Sequence, residues 1–99
     1  MSQPLFKKVA FIGLGLIGSS LARVIVAEQL ASQIVAATRS KKTLDDAKAL
    51  GLIQQGYASP EEAVQGADLI VLALPVRATQ KVLEQIKPYL AENVIITDV

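Results

Sequence analysis

Three glycines spaced Gly13-x-Gly15-x-x-Gly18 are the residues whose types and spacing point most directly to chemistry, and that chemistry is anion binding. Gly13 permits a tight turn. Gly15 has no side chain to hold the backbone away from a phosphate, and Gly18 lets a helix pack closely on a strand. Leu14, Leu16 and Ile17 complete the loop. The N–H groups around Leu16 and Ile17 then face an anion with the positive end of a helix dipole behind them. A glycine-rich turn that serves packing alone is the competing reading. The flanks argue against it, because an apolar strand ends at Gly13 and Leu14, Ile17, Leu21 and Val24/Ile25 recur behind it at helical spacing. Strand, glycine turn and helix in that order suit a dinucleotide pyrophosphate.

A second constellation lies about twenty residues further on, where a carboxylate would bind the ribose 2′-hydroxyl of NAD. The chain instead reads Thr38-Arg39-Ser40-Lys41-Lys42-Thr43, with no carboxylate before Asp45. A 2′-phosphate would meet the Arg39 guanidinium, hydroxyls from Thr38 and Ser40, and the Lys42 ammonium. Arg39 also suits stacking on a flat ring such as adenine. NADP is therefore expected, with NAD as the alternative. An ordinary solvated basic loop is the plainer account of the same residues.

Ala73-Leu74-Pro75 marks the exit of the fourth strand and is expected to line the ribose or nicotinamide edge, with Thr79 one helical turn beyond. Proline is also common punctuation after a strand. Asp98 stands at the carboxyl end of the fifth strand, the end at which such sheets bind ligands, and is read as a cofactor-site residue, with a catalytic role or the orienting of a loop as alternatives. Asp68 starts its strand at the opposite end and is read as a turn residue. No residue is assigned a catalytic role, and no metal site is expected.

These residues need elements to hold them. The expected strands cover residues 9–12, 34–38, 53–57, 68–74 and 93–97. The first helix is expected over 16–30. A second is expected with Thr43 as its cap, Asp45 and Asp46 in its first turn, and Gly51 as its stop. Ser59-Pro60-Glu61-Glu62 has the form of a capping box with proline at the first helical position, and Gly66 closes that short helix. Val76, Thr79, Leu83, Ile86 and Leu90 mark a last helical stripe, which Pro88 ends near Lys87. Strands alternating with helices imply right-handed crossovers. The fold class is α/β, a Rossmann-type doubly wound parallel sheet of five strands in the order 3-2-1-4-5, truncated after the fifth strand. The cofactor belongs at the switch point between strands one and four.

Composition narrows the rest. With 99 residues, 52% of them apolar and 4% aromatic, the chain is one small domain with an aliphatic core. A parallel sheet buried on both faces has this character. The net charge of +1 gives no basis for a nucleic acid partner. Charge is uneven, however: residues 1–50 hold seven Lys/Arg against three Asp/Glu, and 51–99 hold three against six. The absence of cysteine and histidine removes disulfides, thiolate metal sites and the commonest general base. The longest apolar run, 69–76, is too short for a bilayer, and the N-terminus shows no signal-peptide pattern. No membrane association and a cytoplasmic setting are expected.

The run from Gly13 to Ala22, with Ala73-Leu74-Pro75 and Ile95-Ile96-Thr97-Asp98-Val99, closely resembles the prephenate/arogenate (cyclohexadienyl) dehydrogenase family. The resemblance covers only that family's N-terminal nucleotide-binding domain. It implies an oxidative decarboxylation of prephenate or arogenate in tyrosine biosynthesis, with hydride passing to a nicotinamide and carbon dioxide leaving. It also implies a homodimeric parent protein. The family's later His-Pro segment, its Gly-Ser-x-Lys-type segment after the Asp-Val pair, and its helical dimerisation domain have no counterpart in residues 1–99. The chain alone is therefore expected to be inactive. Two other readings stand beside this one: the cofactor domain of a β-hydroxyacid-type NADP dehydrogenase, and a regulatory nucleotide-sensing domain. Thr38-Arg39 argues against the last, which usually carries an acid there.

Overall fold

The computed structural model describes residues 4–99, so the first three residues of the N-terminal start lie outside the described part. Five strands, β1 (Phe6–Ile12), β2 (Ala31–Ala37), β3 (Gln55–Tyr57), β4 (Leu69–Leu72) and β5 (Ile95–Asp98), form one sheet in the order β3-β2-β1-β4-β5. Every pairing is parallel. Helices α1 (Gly15–Ala27), α2 (Lys41–Ala49), α3 (Pro60–Val64) and α4 (Val76–Ile86) connect them, and a 3-10 turn over Lys87–Tyr89 follows α4.

Side chains of a strand alternate between faces, and here both faces are covered. Val9, Phe11, Ile34, Ala36 and Val71 point to one side and pack with Leu14, Ala22 and Ile25 of the α1 region and Ala47 of α2. Ala10, Ile12, Val35, Ala37, Ile70 and Leu72 point to the other, against Ala63 and Val64 of α3 and Ile86 of α4. Thus α1 and α2 lie on one face and α3 and α4 on the other. The change of face falls between β1 and β4, where the strand order reverses.

Several expected boundaries are corrected, each for a local reason. β1 starts at Phe6 rather than residue 9, because the Asp68 carboxylate accepts the backbone N–H groups of Lys7 (2.8 Å) and Lys8 (2.9 Å). Asp68 thereby ties β1 to the entry of β4, and β4 itself covers four residues rather than seven. β2 runs from Ala31 through the polar Ser32 and Gln33, carried by its register against β1 (Phe6↔Ala31), and stops before Thr38.

Helix α1 ends at Ala27, short of the expected end at Leu30. Gln29 adopts a left-handed φ of 53°, and the Leu30 N–H returns to the Ile25 carbonyl (3.0 Å). This is the Schellman closure normally signalled by glycine, so its stop is poorly marked in the sequence. α2 uses the same closure with Gly51 in the usual place, φ 74°. Its start differs from expectation: Ser40, not Thr43, is the cap, and Ser40 Oγ accepts the Thr43 N–H at 3.1 Å. Asp45 and Asp46 therefore lie beyond the first turn.

Ser59 caps α3 as expected, accepting the Glu62 N–H at 3.4 Å, but the reciprocal half of the box is absent. The Ser59 hydroxyl donates to Glu61 Oε1 instead (3.2 Å). β3 is shorter than expected and forms one edge. β5 forms the other, starting at Ile95 because Asn93 is left-handed (φ 63°). Val76, the first residue of the helical stripe named above for α4, is 89% exposed, and Ile86 is the fully buried member of that stripe.

Candidate functional site

The carboxyl ends of β1, β2 and β4 converge on the glycine loop. Gly13 has φ 77°, and its N–H donates to the Ala37 carbonyl at 2.8 Å, which fastens the turn to the end of β2. Gly15 has φ 49° and no atom within 4 Å of where a Cβ would stand, so the loop is open to a ligand there. Gly18 is crowded: a Cβ on it would lie 3.0 Å from the Ala73 Cβ, so the third glycine seats α1 against the exit of β4.

The first turn of α1 is left electropositive. Leu14 occupies the cap position, offers no side-chain hydrogen bond, and no acidic residue stands in the first turn. The leading N–H groups of the helix therefore have no side-chain acceptor, as an anion site requires. Leu14 itself is 3% exposed and packs in the core, so only its backbone is available. Leu16 and Ile17 are 86% and 64% exposed beside the open loop.

A cleft of about 610 Å³ opens beside this turn. Ile12 and Gly13 form its floor at the end of β1, and Ala37, Thr38 and Arg39 its wall at the end of β2. Leu74 and Pro75 bound it after β4, and Ala78, Val82 and Gln85 line it from α4. The segment from Ala58 to Glu61 closes the remaining side.

The cleft thus brings together five residues singled out in the sequence: Gly13, Thr38, Arg39, Leu74 and Pro75. Ala73 stands behind them, between Gly13 and Gly18. The others have different positions. Thr38 Oγ1 accepts the Ser40 N–H at 3.2 Å, while Ser40 Oγ is engaged in capping α2. Lys42 points along α2 to Asp46 (2.9 Å) and is absent from the cleft lining. That hydrogen bond, with the attraction of the Asp46 charge, raises the Lys42 pKa above its ordinary value. Thr79 donates to the Pro75 carbonyl at 3.3 Å, bracing the first turn of α4 without lining the cleft. Asp98 pairs in register with Leu72, at the ligand-binding end of the sheet but outside the lining.

Sequence reasoning missed Ala58, Glu61, Ala78, Val82 and Gln85. The signal for the α4 residues was present: Pro75, Ala78, Val82 and Gln85 repeat at helical spacing along a strip that adjoins the core-facing Leu83 and Ile86. Glu61 was hidden inside a pattern that reads as helix punctuation. Among the described residues no group of three or more His, Cys, Asp or Glu could hold a metal ion.

The sequence model of the family described as "NADP oxidoreductase coenzyme F420-dependent" matches residues 8–99. The chain belongs to that family. A cyclohexadienyl dehydrogenase of Zymomonas mobilis is 41% identical over 93 residues, covering 94% of this chain and 32% of the relative. The prephenate dehydrogenase from A. aeolicus, solved in complex with hydroxyphenyl propionate and NAD+, shares the fold. Its TM-score is 0.84 at 24% identity, covering 93% of this chain and 32% of that one. A Synechocystis arogenate dehydrogenase gives 0.81 at 29% identity, with the same coverage of 93% and 32%. The resemblance read from the glycine motif and Ala73-Leu74-Pro75 is thus borne out. The chain spans about a third of the length of these relatives.

Proposed function

We propose that residues 1–99 form the NADP(H)-binding domain of a prephenate/arogenate dehydrogenase, which oxidatively decarboxylates prephenate or arogenate in tyrosine biosynthesis. The observation that carries this reading is the junction of an open, uncapped glycine turn with a cleft whose β2 wall presents Thr38 and Arg39 and no carboxylate. NADP is favoured over NAD on that ground.

The residues present fit a dinucleotide. A pyrophosphate at Gly15 meets no side chain and accepts hydrogen bonds from the leading N–H groups of α1, with the helix dipole favouring its charge. Arg39, whose fork of donors matches phosphate geometry, holds the 2′-phosphate, with the Thr38 hydroxyl beside it. The apolar side chains of Leu74, Ala78 and Val82 provide a dry surface for the adenosine half. A bound nicotinamide would supply the hydride acceptor for oxidation of the substrate's hydroxyl-bearing carbon. This chain's own residues bind and orient, and the proton-handling group and substrate contacts belong to the remainder of a homodimeric, cytoplasmic parent enzyme.

The test is a titration of the chain with NADPH and NADH, followed by nicotinamide fluorescence. Tighter binding of NADPH that Arg39→Ala reduces at least about ten-fold supports the reading, in line with the size of a charge-assisted hydrogen bond. Equal or NADH-favouring binding overturns the 2′-phosphate assignment. Binding of neither overturns the dinucleotide assignment.

A further inference from the structure

The far side of the cleft carries a pair of polar side chains that phosphate binding does not use. Glu61, half-buried at the start of α3, lines the cleft together with Gln85 of α4. Gln85 Nε2 reaches both oxygens of the Glu61 carboxylate, at 3.4 and 3.5 Å, and Ser59 Oγ donates to Glu61 Oε1 at 3.2 Å. A carboxylate only accepts hydrogen bonds, so Gln85 must turn its NH₂ toward Glu61 and its Oε1 away. The 3.4 and 3.5 Å contacts are long for N–H···O bonds, hence readily exchanged for a better partner.

A negative charge here repels phosphate, which leaves the ligand's phosphates to Arg39 and the glycine turn. What the pair offers is acceptors, from Glu61 and Gln85 Oε1, next to a donor from Gln85 Nε2. A 6-aminopurine presents the complementary edge: N–H donors on N6 beside the N7 acceptor, the pattern that glutamine reads bidentately. Guanine and hypoxanthine carry an acceptor, O6, at the same place. An oxygen facing the Glu61 carboxylate would leave both unpaired. The walls between this pair and the glycine turn, Leu74, Ala78 and Val82, suit a flat apolar ring.

We propose that Glu61 and Gln85 select the base of the bound dinucleotide, accepting adenine through its amino edge and rejecting 6-oxopurines. The assignment rests on the dinucleotide reading above and adds base specificity to it.

The experiment compares binding of NADPH with its hypoxanthine analogue, reduced nicotinamide hypoxanthine dinucleotide phosphate, to the unaltered chain and to Glu61→Gln and Gln85→Ala variants. Both positions are outside the fully buried core, and thermal unfolding of each variant checks that the fold is kept. The unaltered chain should favour NADPH by roughly ten-fold, the scale of one bidentate base contact. Either substitution should shrink that preference to about two-fold, mainly by weakening NADPH, because the contact that distinguishes the two bases has been removed. Binding of both nucleotides with equal affinity by the unaltered chain overturns base selection while leaving the dinucleotide site standing. Equal weakening of both by the variants, with the preference kept, overturns the role of these two residues. Failure of the unaltered chain to bind either nucleotide overturns the dinucleotide reading and base selection with it.

Discussion

Gly13 lies directly against Ala73: a methyl group on Gly13 would stand 2.5 Å from the Ala73 carbonyl oxygen. The first glycine of the motif is thus required twice, by its left-handed φ of 77° and by contact with β4's exit. Gly15 is required differently, because its surroundings are empty although its φ is 49°. Gly13→Ala should therefore cost about 2–4 kcal/mol of folding stability, combining backbone strain with overpacking. Gly15→Ala should cost only about 1–2 kcal/mol while abolishing detectable NADPH binding. Urea unfolding beside a fluorescence titration separates the two effects.

The sequence suggests Lys42 as a phosphate ligand, yet its ammonium is held by Asp46 one helical turn on. Lys42→Ala should change NADPH affinity by less than about two-fold, since an exposed i,i+4 pair contributes little beyond its own turn. The same titration on Arg39→Ala provides the contrast. A loss for Lys42→Ala as large as that for Arg39→Ala would return Lys42 to the site.

The raised pKa of Lys42 also fixes the sign of one pH effect. The folded state holds that proton more tightly than the unfolded chain, so the pair's contribution is complete below the ordinary lysine value of 10.5. It is lost as pH rises beyond that value. Burial moves Lys8 the opposite way, so its contribution grows as pH climbs toward 10.5. Lys42→Ala should therefore lower stability at neutral pH more than at high alkaline pH, and Lys8→Met should show the reverse trend. Urea midpoints at both pH values check it.

Asp68 is a structural carboxylate at the end of the sheet remote from the cleft. Asp68→Ala leaves the Lys7 and Lys8 N–H groups without their acceptor and should cost about 1.5–3 kcal/mol. NADPH affinity should be unchanged. A binding defect in a well-folded variant would contradict this division of labour.

β5 is an edge strand with Ile95 55% and Ile96 37% exposed. Exposed apolar edges template pairing with further chains. The chain is expected to self-associate as its concentration rises, and Ile95→Lys to suppress it. Sedimentation velocity across a concentration series decides, and concentration-independent monomer behaviour would refute the expectation. The chain alone should also show no turnover of prephenate or arogenate with either nicotinamide cofactor, because no histidine or other assigned acid–base group is present. Steady-state absorbance at the reduced nicotinamide band checks that point.

What the sequence determined by itself was whatever depends on neighbours along the chain. The glycine turn, the aliphatic strands, the Gly51 and Gly66 stops and the Ser59 cap all act within a few residues, so their order along the chain implies the 3-2-1-4-5 sheet. The end of helix α1 is not legible in the sequence because Gln29 does glycine's work in a closure that has no distinctive residue type. Tertiary structure alone decided the rest. Sheet pairing brings Gly13, Arg39, Glu61 and Gln85 onto one cleft, although they are far apart in sequence and no local periodicity relates them. The Lys42–Asp46 pair is local, an i,i+4 contact within α2, but that Lys42 lies outside the cleft lining was decided by how α2 is set against the sheet.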